Sequence, residues 1–284
     1  MSAASGTVPR SIRLPSGQTV PVLGQGTWEL GEDSRRRADE LAALRLGLDL
    51  GMTLIDTAEM YGGGLAEELV AEAIKGRHDE VFLVTKVLPQ HSSARATIAA
   101  CEGSLRRLQT ERIDLYLLHW RGNTPLEETL HAFESLVGEG KIRYWGVSNF
   151  SLQDMEELVS IAGGTTVATN QVLYNPTRRG IEWDLLPWCK QQDIPVMAYS
   201  PIEQGRLLSH PALRRIADRH EATTAQIALA WVLRSGVIAI PRTGKPSHVR
   251  DNRAAWDIIL TGQDVAELDR AFPPPKAKRP LEML

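Results

Sequence analysis

Short apolar runs alternate with stretches of helical periodicity along almost the whole chain, and that alternation restricts the fold more than any other feature. Strand-like runs read at 22–26, 53–55, 81–84, 113–118, 144–147, 167–169, 196–199 and 237–240. After the first of them, Leu41, Leu44 and Leu48 recur at helical spacing, and Gly51 follows as a stop. Helical segments read again at 65–74, 97–108, 126–136, 155–161, 185–191, 225–233 and 265–272. Strands that are apolar throughout belong in a parallel sheet covered by helices on both faces. About eight such strand–helix units make a (β/α)8 barrel, and 284 residues accommodate them.

An open doubly wound sheet is the competing arrangement, and it carries phosphate-binding glycines after its first strand. Here that place reads Gly24-Gln25-Gly26-Thr27-Trp28-Glu29-Leu30-Gly31, which does not satisfy G-x-G-x-x-G. The expected fold is therefore a single α/β domain over 1–284, a (β/α)8 TIM barrel. Ser16-Gly17 separates Ile12-Arg13-Leu14 from Thr19-Val20-Pro21-Val22, which predicts an N-terminal β-hairpin over about 11–22. Pro273-Pro274-Pro275-Lys276 opens a tail, 273–284, expected to wrap the barrel surface.

A net charge of −3 and a pI near 6.2 leave no basic footprint for nucleic acid. The first nine residues lack the basic start and apolar core of a signal peptide. No apolar run approaches the roughly 18 residues of a membrane span. The expectation is a cytoplasmic protein with no membrane partner. Cys101 and Cys189 lie far apart and outside any C-x-x-C pair, so two buried free thiols are expected rather than a disulfide or thiolate metal site. The seven histidines show no H-x-x-x-H spacing, and no metal is expected.

Barrel enzymes carry their chemistry at the C-terminal ends of the strands. Asp56 follows the second run, Lys86 follows the third by one residue, and His119 follows the fourth. Tyr61 sits in the loop after Asp56. Each has an ordinary structural role open to it: a cap, a snorkelling lysine, a hydrogen-bonded histidine, a half-buried aromatic. All four at one mouth are harder to explain by packing. A carbonyl that accepts hydride develops an alkoxide and needs a proton. Tyrosine can supply one, but its free pKa is about 10. Lys86 beside it would favour tyrosinate and lower that value. Asp56 would hold Lys86 charged, and His119 would orient the substrate oxygen.

The segment Leu54-Ile55-Asp56-Thr57-Ala58-Glu59-Met60-Tyr61-Gly62 resembles the tyrosine motif of the aldo-keto reductases. Val84-Thr85-Lys86 resembles their lysine motif, and Ile113-Asp114-Leu115-Tyr116-Leu117-Leu118-His119-Trp120 their histidine motif. Gly140-Lys141-Ile142-Arg143 and Gly146-Val147-Ser148-Asn149-Phe150 are further family hallmarks. The resemblance runs from about 20 to 269 and is closest to bacterial methylglyoxal and diketogluconate reductases, with Leu185-Leu186-Pro187-Trp188-Cys189 among the shared text.

This resemblance implies a reductase that converts aldehydes or ketones to alcohols with NADPH, small 2-oxoaldehydes among its substrates. It implies Tyr61 as the acid, surrounded by Lys86, Asp56 and His119. It implies a nicotinamide stacked on Tyr199, its amide held by Ser148, Asn149 and Gln171, with Thr27, Trp28 and Asp56 alongside. Ser200, Pro201, Gly205, Arg206 and Leu207 would lie along the pyrophosphate. Arg242 and Thr243 would face the adenosine 2′-phosphate with Lys245 and His248 close by, and Asp251 and Asn252 would lie near the adenine. Many members have lysine in place of Arg242 and arginine in place of His248. The implied preference is accordingly NADPH, with NADH use left open. Trp28, Tyr61, His119 and Trp120 are the implied substrate walls, and the loop Leu88, Pro89, Gln90 and His91 lies within reach of them. Members are often monomers, and nothing in the sequence excludes a dimer.

Two other functions fit part of the pattern. A lysine at a barrel strand end can form a Schiff base, as in lyases, but that leaves Ser148, Asn149, Gln171 and Tyr199 without a role. A regulatory NADPH-binding subunit is the second, and the retained tetrad argues against it.

Overall fold

The computed structural model describes residues 9–284; the reading of a leaderless N-terminus falls mostly outside them. The described residues open with an antiparallel hairpin, β1 (Ser11–Arg13) and β2 (Thr19–Pro21). Eight parallel strands follow: β3 (Gln25–Gly26), β4 (Leu54–Asp56), β5 (Phe82–Val87), β6 (Ile113–Leu118), β7 (Ile142–Ser148), β8 (Asn170–Leu173), β9 (Val196–Tyr199) and β10 (Ile238–Ala239). Each pairs with the next in sequence order. The ring closes between the first and last: Gly24 N–H donates to Ala239 O at 2.8 Å, Gly26 N–H to Pro241 O at 3.0 Å, and Ala239 N–H to Val22 O at 2.7 Å. Glycine is required at this seam. A Cβ on Gly26 would lie 2.9 Å from Ile240 O, and one on Gly24 2.8 Å from Leu54 O.

The helices are α1 (Arg37–Asp49), α2 (Leu65–Ala73), α3 (Ala94–Leu108), α4 (Leu126–Gly138), α5 (Leu152–Ser160), α6 (Leu185–Gln191), α7 (Pro211–Arg219), α8 (Thr224–Arg234), α9 (Pro246–Ala254) and α10 (Gly262–Ala271). Capping boxes start three of them, at Ser151, Thr223 and Thr261. The outward-facing strand residues, such as Ile55, Leu83, Tyr116 and Val172, pack on the helices in one continuous apolar layer. The inward-facing ones, Leu54, Phe82, Val84, Leu115, Leu117, Met197 and Ile238, form a second layer inside the barrel. Leu14 and Val20 of the hairpin join that inner layer. The hairpin thus plugs one end, and the other is left for chemistry.

The expected barrel and hairpin are both present, but several boundaries move. The run read at 167–169 is followed by the strand rather than being it: β8 starts at Asn170, a polar residue that sequence apolarity does not mark. The run at 22–26 shortens to β3, and that at 237–240 to β10. The polar-looking α7 and α9 were not expected. Both begin with proline after a non-helical residue, His210 and Lys245. Cys101 and Cys189 are buried free thiols, each pushed up to about 12 by burial. No helix among the described residues is long and apolar enough to cross a membrane.

Candidate active site

Strand parity builds the site. Side chains at alternate positions face the barrel interior. On β4, Leu54 faces inward and so does Asp56, the last residue of the strand rather than the one after it. On β5, Phe82 and Val84 face inward, and Lys86 continues their line within the strand. The sequence reading had put Lys86 beyond the strand end. His119 extends the inward line of Leu115 and Leu117 just past β6. Three polar residues therefore cap the apolar inner layer, with Lys86 and Asp56 only 1% and 3% exposed at their side chains.

Tyr61 reaches them from a tight turn, Tyr61–Gly64, in which Gly62, Gly63 and Gly64 all have positive φ. Glycine adopts such angles without the Cβ clash that other residues meet. The Lys86 ammonium donates to Asp56 Oδ2 at 2.8 Å, to Thr57 O at 2.9 Å and to Tyr61 Oη at 3.1 Å. All three of its donors are used. The His119 ring stands edge-on to Tyr61, centroids 5.9 Å apart, and 5.0 Å from Trp120. Its Nδ1 is buried without a partner.

Burial is the strongest influence on Tyr61, Lys86 and His119. It pushes the Tyr61 phenol above its ordinary value, against the opposing pull of Lys86. This corrects the expected lowering: desolvation of the phenolate outweighs the ammonium. Burial also acts to lower Lys86, but Asp56 and Tyr61 together hold its ammonium above the ordinary range. His119 is pushed down to about 2, first by burial and then by Lys86, so its imidazole is neutral. The site holds a protonated phenol, a charged lysine and a neutral histidine around one opening.

The implied nicotinamide side is also assembled, as a connected network. Tyr199 Oη donates to Asn149 Oδ1 at 2.9 Å, and Asn149 Nδ2 donates to His119 O and Ser148 Oγ, both at 3.1 Å. Gln171 Nε2 donates to Asp56 Oδ1 at 2.7 Å, which adds a link to the tetrad that the sequence did not disclose. Thr27 Oγ1 donates to Asp56 O at 3.0 Å. Trp28 is 43% exposed at the barrel mouth. The loop from Ser200 holds three non-glycine residues at positive φ, Ser200, Glu203 and Gln204, followed by Gly205. Pro201 and Leu207 are buried.

Arg242, Thr243, Lys245 and His248 gather at the start of α9, with Lys245 and His248 exposed. Cations beside a helix N-terminus form a donor set that fits a phosphate. Arg242 is partly engaged already, donating to Trp28 O at 2.8 Å and pairing with Glu29 at 3.2 Å. Further along α9, Asn252 is buried and Asp251 half-buried.

Sequence reasoning also missed a bracket beside this loop. The buried Glu203 accepts from Arg178, Arg206 and Asn175, and Arg178 also donates to Glu282 of the tail at 2.6 Å. The tail does not simply wrap the surface. Leu281 packs on the outer apolar layer, and Leu284 N–H lies 3.4 Å from Tyr199 Oη.

The aldo/keto reductase family model matches residues 22–272. The chain is 50% identical over 281 residues to methylglyoxal reductase YeaE of Escherichia coli, covering 97% of this chain and 99% of that one. Two crystal structures of an aldo/keto reductase from Klebsiella pneumoniae, one with NADP and acetate and one with NADPH, superimpose with TM-scores of 0.95. Both share 52% identity and cover 98% of this chain and 100% of theirs. The barrel and these near-full-length matches together establish that the chain belongs to the aldo/keto reductase family.

Proposed function

We propose that this chain reduces small aldehydes or ketones to alcohols with NADPH, and that Tyr61 protonates the nascent alkoxide. The observation that carries the reading is the buried relay Asp56–Lys86–Tyr61, with contacts of 2.8 and 3.1 Å. A reduced nicotinamide bound against Tyr199 would supply the hydride to the carbonyl carbon. The protein's own task is then the proton and the orientation. Neutral His119 and Tyr61 Oη hydrogen-bond the carbonyl oxygen from two sides. As charge grows on that oxygen, the phenol gives up its proton, and Lys86, already in contact, stabilises the phenolate. The raised resting pKa of Tyr61 keeps the proton in place until that moment. General acid catalysis of this kind is worth about 10²–10⁴-fold.

The donor set at α9 supports NADPH over NADH, since a planar guanidinium at Arg242 pairs well with a phosphate. A lyase reading needs a free amine at Lys86, whereas Asp56 and Tyr61 hold it as ammonium. Methylglyoxal is the first substrate to test, given the relative named for its reduction. NADPH oxidation measured across methylglyoxal, diketogluconate, aromatic aldehydes and sugars should show highest kcat/KM for a small 2-oxoaldehyde. No turnover of any carbonyl, despite NADPH binding, would overturn the reading.

A further inference from the structure

Glu59 lies two residues before Tyr61, in the segment that turns away from β4. Its side chain is 9% exposed. Its role follows from the parallel ladder between β4 and β5. In such a ladder, N–H groups two residues apart donate to carbonyls two residues apart on the neighbour. Thr57 N–H donates to Val84 O at 2.9 Å, and Glu59 N–H lies 3.4 Å from Lys86 O. The next bond of the series would run from Leu88 N–H to the Glu59 carbonyl. Instead, Leu88 N–H donates to the Glu59 side chain, Oε1, at 2.7 Å. His91 Nδ1 meets the same oxygen at 3.0 Å.

We propose that Glu59 is a positioning residue for the reaction: its carboxylate substitutes for its own backbone carbonyl in the ladder, releasing the chain to turn and bring Tyr61 back onto Lys86. The inference rests on the reading of Tyr61 as the proton donor. The turn begins at once. Tyr61 N–H donates to Ala58 O at 3.1 Å instead of continuing along β5, and Gly63 N–H donates to Met60 O at 3.1 Å. Without the side-chain acceptor, Leu88 N–H is orphaned unless the Glu59 carbonyl takes it. Satisfying it that way extends β4 and draws residues 59–61 away from the barrel axis. An unpaired backbone donor is costly enough to drive such a change. The consequence falls on the 3.1 Å contact between Lys86 and Tyr61, where a misplacement of about 1 Å can cost on the order of 100-fold in rate.

The test compares variants of the full chain in methylglyoxal reduction, with NADPH affinity read by fluorescence and folding by thermal melts. Glu59→Ala should lower kcat by about tenfold or more, with NADPH Kd and carbonyl KM within about twofold. Glu59→Gln keeps an oxygen acceptor and should stay within about threefold of the parent in kcat. Leu88→Pro deletes the donor instead, at a residue whose φ of −68° and ψ of 145° already suit proline. With no N–H left to satisfy, Glu59→Ala should cost no further kcat in a Leu88→Pro background, and that pair of variants carries the test if Glu59→Ala alone does not fold. In a Tyr61→Phe background, Glu59→Ala should add no further loss, because both act on one step. Full kcat in Glu59→Ala, or a Glu59→Ala loss that persists in the Leu88→Pro background, would overturn the proposal. So would a Glu59→Gln as slow as the alanine variant, or losses that multiply with Tyr61→Phe. Tyr61→Phe with full activity would instead sink the proton-donor reading beneath it.

Discussion

Single residues in this barrel hold their charge states over a wider pH range than water would allow. Lys86 is a fully buried ammonium whose three donors all have partners, and Asp56 is its counter-charge. Such pairs gain little net stability but become costly when one partner is removed, by about 3–5 kcal/mol. His119 is the opposite case, a buried group kept neutral. Unfolded, its imidazole takes a proton near 6.5; folded, it resists until about 2. The unfolded state therefore binds more protons below pH 6.5, and the fold loses stability from there downward, by about 1.4 kcal/mol per pH unit from this one group. His119→Gln should flatten that dependence. Urea unfolding at pH 7, 6 and 5 should show the parent losing about 2 kcal/mol more than the variant between pH 7 and 5. Parallel curves would mean that His119 is accessible to protons in the native state. The tetrad was legible in the sequence because each member stands at or near the end of an apolar run. The direction of the Tyr61 shift was not, since proximity to Lys86 can be read from a motif but the depth of burial cannot.

At the scale of elements, legibility followed apolarity. The runs that became β6 and β9 and the helix α6 were bounded correctly because their apolar residues coincide with their backbone pairing. β8 slipped because it opens on two polar residues: Gln171 faces the barrel interior, where it bonds Asp56, and Asn170 faces the helix layer, where it bonds the Phe150 carbonyl. Polar residues inside a strand mimic a loop. α9 is not legible for a related reason: Val249 is its one buried apolar residue, too few to show the period. α7 does carry the period, with Ala212, Leu213, Ile216 and Ala217 buried on one face, and the sequence reading passed over it. α9 is nonetheless the element that faces the cofactor question. Arg242 sits ahead of it, tied to the Trp28–Glu29 loop, so one residue joins both sides of the cleft. A charge-assisted contact to phosphate is worth about 1.5–3 kcal/mol. Arg242→Ala should then weaken NADPH binding by roughly 10–100-fold and leave NADH within about threefold. Fluorescence titration of both cofactors checks this, and an equal loss for each would remove Arg242 from 2′-phosphate recognition.

The whole molecule is a ring closed by glycine, plugged at one end by a hairpin and open at the other. Closure matters for function because it fixes the strand ends relative to one another. Asp56, Lys86 and His119 come from three neighbouring strands, and Gln171 from a fourth across the barrel reaches Asp56 at 2.7 Å. That transverse bond, the ladder substitution at Glu59 and the Arg178–Glu203 bracket all depend on three-dimensional closure, and no local pattern announces them. The barrel itself was announced by the alternation of elements, together with the missing G-x-G-x-x-G after the first strand, which told against an open doubly wound sheet. In the proposed mechanism, the closed ring makes a mouth in which one buried phenol keeps its proton until a carbonyl accepts it. Stopped-flow reduction of methylglyoxal by Tyr61→Phe preloaded with NADPH tests that most directly. The account predicts an unchanged NADPH affinity and a single-turnover rate lower by about 10²–10⁴-fold; a variant that turns over at the parent rate would contradict it.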